Sequence, residues 1–545
     1  MKKNFLVCFV LIALSVFLMR SLFNVGFPQS HDGEMHLARL ANLYLAVRDH
    51  HLPPRWAGSL NYQYGYPVFN FSYYLTEFLA WPLFSLGLSI EWSLKLILMI
   101  STVVAPIAWY FFLLPLFGSF SAFIASVFAL TAVYPWVNFL VRGSTGEILV
   151  WSIVPLCLLF LRRLIQKPGR ISFFLATSSL VAFLLCHNIS VIFGLPLLLG
   201  FSLVSLWGQS KKKWLIAGLS FLISVGLSLF FWLPLVMEQQ FTIIKAVHPI
   251  LRFLDHFPTL GQLFFSKWGF GFSFPGTGDG LSFNFGPGHW LIIVLLIIAL
   301  IFKRHLKINK NLAWFFLISF AGFMFLSLPI SQWFWLRLPF IYEAQFPWRL
   351  LLFMSLSVIF LAAFVAKAWP RLSILVALVA IVYAGLNVHS QGFIHAPDMS
   401  YFQYPFTSTT ENEYRPQWFE TDKALKLAQN TDRVFNADKS VVQVWQTQKH
   451  LYTVTVPKDQ PVFEKTAYFP GWEVTVDGQP AQIIYDRQDY PGLIGYNLTA
   501  GTHTVISTFT EHTPARQLGD KLSLVSLGLF TLTLFFFSRL LKYFS

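Results

Sequence analysis

The densest group of chemically active side chains lies in the ten residues from Ser30 to Arg39, which read SHDGEMHLAR. If a helix begins near Ser30, then Asp32, His36 and Arg39 follow at intervals of four and three residues and share one face. A carboxylate, an imidazole and a guanidinium on one face can accept a proton and hold an anion. Glu34 lies about 200° round the same helix from Asp32, on nearly the opposite face.

The residues alone leave three interpretations of this segment open. It can be a catalytic or binding cluster. It can be a capped amphipathic helix with solvated charges, because Asp and Glu are favoured in the first turn of a helix. It can also be a metal site, with ligands from His31, Asp32, Glu34 and His36, although their spacing matches no specific zinc motif.

Further candidates for substrate binding occur in short polar segments between apolar runs. They are Arg55 in Pro-Pro-Arg-Trp, Arg142 in Val-Arg-Gly-Ser-Thr-Gly-Glu, the pair His187 and Asn188, and Glu343, Gln345 and Arg349 in Glu-Ala-Gln-Phe-Pro-Trp-Arg. A single residue of this kind is usually an interface anchor. Several such groups that return to one side of a helical bundle favour a shared site.

The elements that must position these residues are membrane spans. Hydrophobic residues make up 55% and charged residues 12% of the 545 residues, with a mean hydropathy of +0.59. A helix of about 20 apolar residues crosses the hydrocarbon while satisfying its own backbone. The sequence predicts twelve spans, at 4–23, 93–116, 119–139, 148–161, 171–186, 190–208, 214–236, 289–302, 312–330, 348–366, 372–388 and 520–538.

The basic residues predict the orientation of these spans. Clusters such as Lys2–Lys3, Arg162–Arg163, Lys211–Lys213 and Lys303–Arg304 fall at the N-terminus or in short gaps, which we assign to the cytoplasm together with both termini. The apolar segment 71–88 would invert this pattern if it crossed, so we predict that it lies at the outer interface. All eleven acidic residues outside 389–519 then fall on the outer side.

Three regions follow from this assignment. Residues 1–388 form a transmembrane domain with a first outer loop at 24–92, and 520–545 form the last span and a cytoplasmic tail. Residues 389–519 carry 14 acidic and 10 basic residues, and their alternating segments 454–456, 472–476 and 504–507 predict an outer β-rich domain. Asp477-Gly478, directly after the second of these segments, predicts a hairpin. Tyr468–Trp472 is interpreted as a packed strand entry, or alternatively as a platform for sugar stacking.

The order of several short motifs carries a resemblance. Asp32 after the first span, Pro54-Arg55-Trp56, Tyr64-Gly65-Tyr66-Pro67, Arg142-Gly143, His187-Asn188, Gln345–Arg349 and the Tyr468–Trp472 segment follow one another along nearly the whole chain. In this order they resemble bacterial membrane glycosyltransferases of GT-C type. The YfhO-like membrane proteins, also labelled 6-pyruvoyl-tetrahydropterin synthase-related, are the family that the chain resembles most.

This resemblance implies a GT-C-like polytopic helical fold with a periplasmic C-terminal domain, in the bacterial inner membrane. It implies a polyprenyl-phosphate-linked sugar as donor and a cell-envelope glycan, lipid or protein as acceptor. Asp32 would be the catalytic base with His36 beside it, and Arg349, then Arg142 and Arg55, would hold the lipid phosphate. Arg39, Glu34, His187, Asn188, Glu343 and Gln345 complete the predicted binding residues.

The sequence also bears on other partners and functions. A divalent metal ion could substitute for the cations that hold the phosphate or assist them, and the sequence identifies no certain cofactor. The inner loops are short and carry no GxxxxGK[ST] or GxGxxG motif, and the basic excess follows membrane topology, so no nucleic acid is expected. The alternatives are a transporter or flippase of lipid-linked glycans, and a non-catalytic scaffold that displays residues 389–519.

Overall fold

The computed structural model describes residues 2–247, 252–302, 310–409, 411–428 and 432–543. The basic pair Lys303–Arg304, on which part of the topology prediction depends, lies outside these ranges.

Helices occupy all twelve predicted spans. They run over Lys2–Leu18, Ile90–Phe117, Ser119–Thr131 with Val133–Val137, Thr145–Gln166, Arg170–Cys186, Asn188–Leu206, Lys211–Glu238, Pro287–Phe302, Lys310–Ser327, Leu351–Ala368, Pro370–Asn387 and Pro514–Tyr543. The last helix begins at Pro514 rather than near residue 520.

Eight helical segments in the described residues are long and apolar enough to cross a membrane, or nine if the pair Asn311–Ser327 and Pro329–Trp335, bent by 86°, is one span. Arg170–Cys186 and Pro287–Phe302 are shorter apolar helices. The protein is therefore a multi-pass α-helical membrane protein. The number of twelve spans and their orientation stay predictions.

Two of these segments form the centre of the helical bundle. Ser119–Arg142 and Pro347–Ala368 are each 94% buried over their most apolar stretch, whereas Pro514–Arg539 is 17% buried. A helix that is apolar all round is stable either inside a bundle or against lipid. The central segments pack within protein, and Pro514–Arg539 presents its apolar side chains outward.

The first predicted outer loop contains two helices that do not fit a full span. Gly33–Arg48, which we call the site helix, is followed by an irregular segment and then by Leu75–Ser85. Leu75–Ser85 has 11 residues, about half the length that hydrocarbon requires. Segment 71–88 is thus a break and a short helix, in keeping with its exclusion from the predicted spans.

The β-rich domain contains two antiparallel sheets with a common apolar core. The five-stranded sheet has the order Lys439–Trp445, Lys449–Val456, Gly501–Phe509, Trp472–Val476 and Gln479–Ala481, and the three-stranded sheet has the order Val434–Phe435, Gln460–Ala467 and Leu493–Leu498. The predicted strands and the predicted hairpin are present. Asp477 and Gly478, with φ of 51° and 78°, form its turn, as Asp-Gly pairs do in tight hairpins.

The segment Tyr468–Trp472 packs into this core. Phe469 and Trp472 are buried and contact Trp56 from the first outer loop, and Tyr468 stacks on Tyr485 with ring centroids 4.1 Å apart. Its aromatic rings are therefore used for packing, as in the packed-entry interpretation. The contact with Trp56 also joins the β-rich domain to the transmembrane domain.

Candidate functional site

A cavity of about 630 Å³ lies where several distant parts of the chain meet. Its wall includes the first half of the site helix, the turns that follow Leu140 and Cys186, the loop at 272–275, the entry to the helix Leu351–Ala368, and residues 408–409 and 411–414. Seven of the predicted site residues line it, namely Asp32, His36, Arg39, Arg142, His187, Gln345 and Arg349. The fold thus brings together residues that are more than 300 positions apart.

Asp32 occupies the N-cap position of the site helix, but its side chain makes no capping hydrogen bond. Its backbone N–H donates to the carbonyl of Arg142 at 2.8 Å, and the N–H of His31 donates to the carbonyl of Val141 at 2.9 Å. The half-buried Asp32 carboxylate forms no hydrogen bond and no ion pair with any residue in the described ranges. The carboxylate is therefore held in place by its backbone and left available to a ligand.

Two glycines allow this close approach of chain segments. Gly143 has a φ of +71°, and a Cβ atom there would lie 2.6 Å from the backbone nitrogen of Gly33 and 2.6 Å from Ser30 Oγ. A Cβ atom on Gly33 would lie 2.5 Å from the same hydroxyl oxygen. The preceding turn, Asn138–Arg142, is π-helical, a rare geometry that is frequent at functional sites.

Two arginines of the cavity share one carboxylate. Arg142 Nη1 lies 2.7 Å from Glu147 Oε1 and also donates to Asn138 Oδ1 at 2.6 Å. Arg349 Nε lies 3.6 Å from the same Glu147 oxygen, too far for a hydrogen bond, and this buried nitrogen has no hydrogen-bond partner among the described residues. Two guanidinium groups against one carboxylate leave a net positive charge at this wall.

His36 and His187 contact the same tyrosine from two sides. The ring centroid of Tyr73 is 5.7 Å from that of His36 and 4.7 Å from that of His187. His36 Nδ1 lies 2.6 Å from Glu77 Oε1, and its Nε2 lies 3.4 Å from the Tyr73 hydroxyl. Burial raises the pKa of Tyr73 to about 12, so this hydroxyl keeps its proton at neutral pH.

His31 fixes the loop that covers part of the cavity. Its Nε2–H donates to the carbonyl of Phe270 at 3.0 Å, and its ring stacks on Phe272 with centroids 4.2 Å apart. Burial lowers the pKa of His31, and the hydrogen bond to Phe270 opposes this shift in part. His31 is therefore engaged with protein.

Four of the predicted site residues do not line the cavity. Glu34 and Glu343 are exposed, and Asn188 donates from Nδ2 to the carbonyl of Phe71 at 2.7 Å. Arg55 is fully buried elsewhere, with its guanidinium 3.2 Å from Glu511 and 3.3 Å from Asp520. Arg39 lines the cavity, but it donates to Ser72 at 2.8 Å and to Ser408 Oγ at 3.0 Å and so fixes the segment 408–414.

The sequence prediction did not include Glu77, Tyr73 or the glycine pair. Glu77 had a detectable signal, because it is an acidic residue in the apolar run Leu75–Ser85 and is now seen to be fully buried. A buried carboxylate is costly unless it is paired. The pairing partner, His36, lies 41 residues earlier in the chain, and sequence periodicity does not report such contacts.

The residues present do not form an evident metal site. Among the described residues, no group of three or more His, Cys, Asp and Glu side chains is arranged to hold a metal ion. His31 and His36 are each engaged with protein, and Glu34 is exposed outside the cavity. No step below is therefore assigned to a metal.

Comparison with known proteins gives no family. No family model matches the sequence, and no curated protein matches it. The YfhO-like resemblance stays a prediction.

Among solved structures, the chain is similar to the arabinofuranosyltransferase AftD from Mycobacteria, with a TM-score of 0.46, 14% identity and coverage of 70% of this chain and 26% of that one. It is also similar to the oligosaccharyltransferase of Archaeoglobus fulgidus in its apo form, with a TM-score of 0.37, 12% identity and coverage of 74% and 64%. The same enzyme tethered to an acceptor peptide gives a TM-score of 0.38 and 15% identity, with coverage of 76% of this chain and 61% of that one. The chain thus spans about a quarter of AftD and less than two thirds of the oligosaccharyltransferase. The proposal below rests on this chain's own residues.

Proposed function

We propose that this protein is a membrane glycosyltransferase of GT-C type that moves a sugar from a polyprenyl-phosphate-linked donor to a cell-envelope acceptor. The observation that carries the proposal is the unpartnered carboxylate of Asp32 in the same cavity as Arg349. A base and a phosphate-binding cation are the two groups that such a transfer requires. The motif order described above supports the same reaction class.

In the proposed reaction Asp32 takes the proton from an acceptor hydroxyl as its oxygen attacks the anomeric carbon. The bond from that carbon to the lipid phosphate breaks, and its electron pair stays on the phosphate oxygen. Attack opposite the leaving group inverts the anomeric configuration. One carboxylate is sufficient for this step, because no covalent sugar intermediate has to be formed.

Arg349 is the proposed ligand of the departing phosphate, with Arg142 beside it. A guanidinium matches the geometry of phosphate oxygens with two parallel hydrogen bonds. Glu147 already binds Arg142 at 2.7 Å, so Arg349 is the freer of the two cations. In this account Arg142 keeps the wall positive, and Arg349 contacts the phosphate.

The orientation of the site follows from the predicted topology, which puts the cavity on the outer side of the membrane. No pool of nucleotide sugars exists there, so a transferase that faces outward requires a donor carried by lipid. The bilayer supplies such donors, and a helical protein embedded in it can bind the lipid chain from the side. Residues 408–409 and 411–414, which precede the β-rich domain, line the cavity, and we expect this domain to contact the acceptor.

The transfer can be tested directly with the full chain in lipid nanodiscs. Polyprenyl-phosphate sugars that carry different radiolabelled monosaccharides are offered with envelope extract as acceptor, and free polyprenyl phosphate and labelled product are measured. The proposal predicts stoichiometric release of both with at least one sugar. A scaffold would give neither, and a flippase would move the donor between leaflets without breaking its phosphate bond. The glycan structure before and after gene deletion would identify the product.

A further inference from the structure

Two histidines of the cavity, His36 and His187, make opposite hydrogen bonds through Nδ1. His36 Nδ1 lies 2.6 Å from a carboxylate oxygen of Glu77 and 3.1 Å from Thr145 Oγ1. An ionised carboxylate can only accept hydrogen bonds, so the hydrogen of this contact belongs to the imidazole. Nδ1 of His36 therefore carries hydrogen, and in the neutral ring its Nε2 presents a lone pair towards Tyr73 and the cavity.

His187 has the reverse arrangement. The backbone N–H of Ser190, which can only donate, lies 3.1 Å from His187 Nδ1, and the Ser190 hydroxyl, 2.8 Å from the same nitrogen, can donate to it as well. Nδ1 of His187 must therefore be the acceptor, which puts the hydrogen of the neutral ring on Nε2. Burial, together with the neighbouring Arg349 and Arg142 and against the effect of Glu147, lowers the pKa of His187 to about 3, so the ring is neutral at physiological pH.

We propose that Glu77 and the Ser190 amide fix the two rings in opposite tautomers, so that His36 accepts the proton from Asp32 while His187 donates an N–H to the departing phosphate. This inference rests on the proposed function. It assigns proton acceptance to His36 and phosphate contact to His187, whose rings both contact Tyr73. Glu77 is a positioning residue, because it acts through His36. His187 is placed among the arginines of the phosphate wall.

The proton balance of the step closes without another reagent. The acceptor hydroxyl gives its proton to Asp32, and Asp32 passes it to Nε2 of His36, which becomes an imidazolium paired with the Glu77 carboxylate. Asp32 is ionised again for the next cycle. After the products leave, the imidazolium gives the proton to water in the open cavity.

The tautomers can be read without any turnover. In protein labelled with ¹⁵N at histidine, difference spectra against His36→Asn and His187→Gln assign the two rings, and ¹⁵N shifts report which nitrogen carries hydrogen. We expect hydrogen on Nδ1 in His36 and on Nε2 in His187. Glu77→Ala should reduce the Nδ1–H signal of His36 and leave His187 unchanged. If Glu77→Ala does not fold, Glu77→Asp, which keeps an acceptor, should retain the wild-type tautomer. The opposite assignment of either ring would overturn the proposal.

Kinetics separate the two roles. Glu77→Gln and His36→Asn should each lower kcat about tenfold to hundredfold with donor KM unchanged, and the double variant should be no slower than the slower single variant. His187→Asn keeps an oxygen that can accept the Ser190 N–H but loses the donor at the position of Nε2. It should lower kcat/KM for the donor about tenfold, because the charge on the departing phosphate grows in the transition state. Independent, multiplying losses from Glu77 and His36, or an unchanged kcat/KM in His187→Asn, would contradict the proposal.

The two proposals can fail separately. Tautomers as stated without any sugar transfer would remove the proposed function and the catalytic roles of the two histidines, and would leave the tautomer assignment standing. Transfer that depends on Asp32, with a His36 ring that does not respond to Glu77, would remove this inference alone.

Discussion

Two groups of buried charges adjoin the first outer loop, and they differ in how completely their members are paired. In one, which we call the ion-pair network, Arg55 contacts Glu511 and Asp520, and Arg516 Nη2 contacts Glu238 at 2.8 Å. Backbone carbonyls satisfy further N–H groups, with Phe230 at 2.8 Å from Arg55 and both Pro470 and Thr510 at 2.9 Å from Arg516.

The cavity is paired incompletely. Asp32 has no hydrogen-bonding or ion-pair partner among the described residues. Arg349 Nη1 donates to the carbonyl of Ala344 at 3.1 Å and to Gln345 Oε1 at 3.4 Å, but its Nε lies 3.6 Å from Glu147 and makes no hydrogen bond to the described residues. The network joins the β-rich domain to the helices, because Pro470 and Glu511 come from the domain and Phe230 and Glu238 from a long helix. We therefore interpret the fully paired charges as a structural contact between the β-rich domain and the helices, and the incompletely paired charges as a ligand-binding site.

The largest expected effect is on stability, at the ion-pair network. Arg516→Ala leaves Glu238, 2% exposed, without its cation, and loss of one partner of a buried pair costs about 3–5 kcal/mol. We expect a large fall in the unfolding temperature of the purified protein. Arg349→Ala is the matched control and should fall much less. Equal losses in both variants would remove the distinction between the two groups of charges.

The next effect is on donor binding at the cavity. Arg349→Ala should raise the donor KM about tenfold to hundredfold, since hydrogen bonds to charged groups contribute about 1.5–3 kcal/mol. Arg349→Lys keeps the charge but loses the planar fork, so its donor KM should lie between that of the wild type and that of Arg349→Ala. Titration of turnover against donor concentration measures this order. Unchanged kinetics in both Arg349→Ala and Arg142→Ala would exclude these residues from the site.

A smaller effect concerns pH and His51, which is buried beside the network. Burial, followed by the charges of Arg55 and Arg516, lowers the pKa of His51 to about 3. As the pH falls below about 6.5, the unfolded chain binds this proton first, so the free energy of unfolding should decrease by up to about 1.4 kcal/mol per pH unit. His51→Leu should remove this part of the decline between pH 6.5 and 4.5 in thermal melts. The exposed neighbour His50 has a φ of 62°, which Asn tolerates, and His50→Asn should keep the decline.

The smallest perturbation tests on which side of the membrane the ion-pair network and the cavity lie. Cysteines placed at the exposed positions Ser85 and Gln479 should react with a membrane-impermeant thiol reagent in intact cells. A cysteine at Ser210, in a predicted inner loop, should react only after permeabilisation. Labelling of Ser85 or Gln479 only after permeabilisation would contradict the predicted topology.

The sequence was sufficient to predict the helices and strands, but it did not predict which distant residues contact one another. Apolar length predicted the helices, and alternation with Asp477-Gly478 predicted the strands and their hairpin, because both are local properties. Arg55 and Arg349 look alike in sequence, since each stands in a short aromatic and proline-rich motif. The partners of Arg55 lie 456 and 465 residues away in the sequence. Only the folded chain therefore distinguishes Arg55, which is fully paired, from Arg349, which is paired incompletely.

The site helix also shows that local pattern predicts which face a residue lies on but not its distant contacts. Helical periodicity put Asp32, His36 and Arg39 on one face and Glu34 on the other, and in the structure the first three line the cavity while Glu34 is exposed. Periodicity did not reveal that Arg39 is used to hold Ser408, or that Glu77 stands behind His36. Those contacts depend on how distant segments pack.

The central claim, that Asp32 is the catalytic base, is tested most directly by comparing Asp32→Asn with Glu34→Gln in the nanodisc transfer assay. Asn can occupy the N-cap position but cannot accept the proton. The account predicts that Asp32→Asn lowers turnover about a hundredfold or more with donor binding retained, while Glu34→Gln stays near wild type. Recovery of Asp32→Asn by excess divalent ion would instead identify a metal ligand. Near-normal turnover in Asp32→Asn, together with its loss in Glu34→Gln, would contradict the assignment of the base.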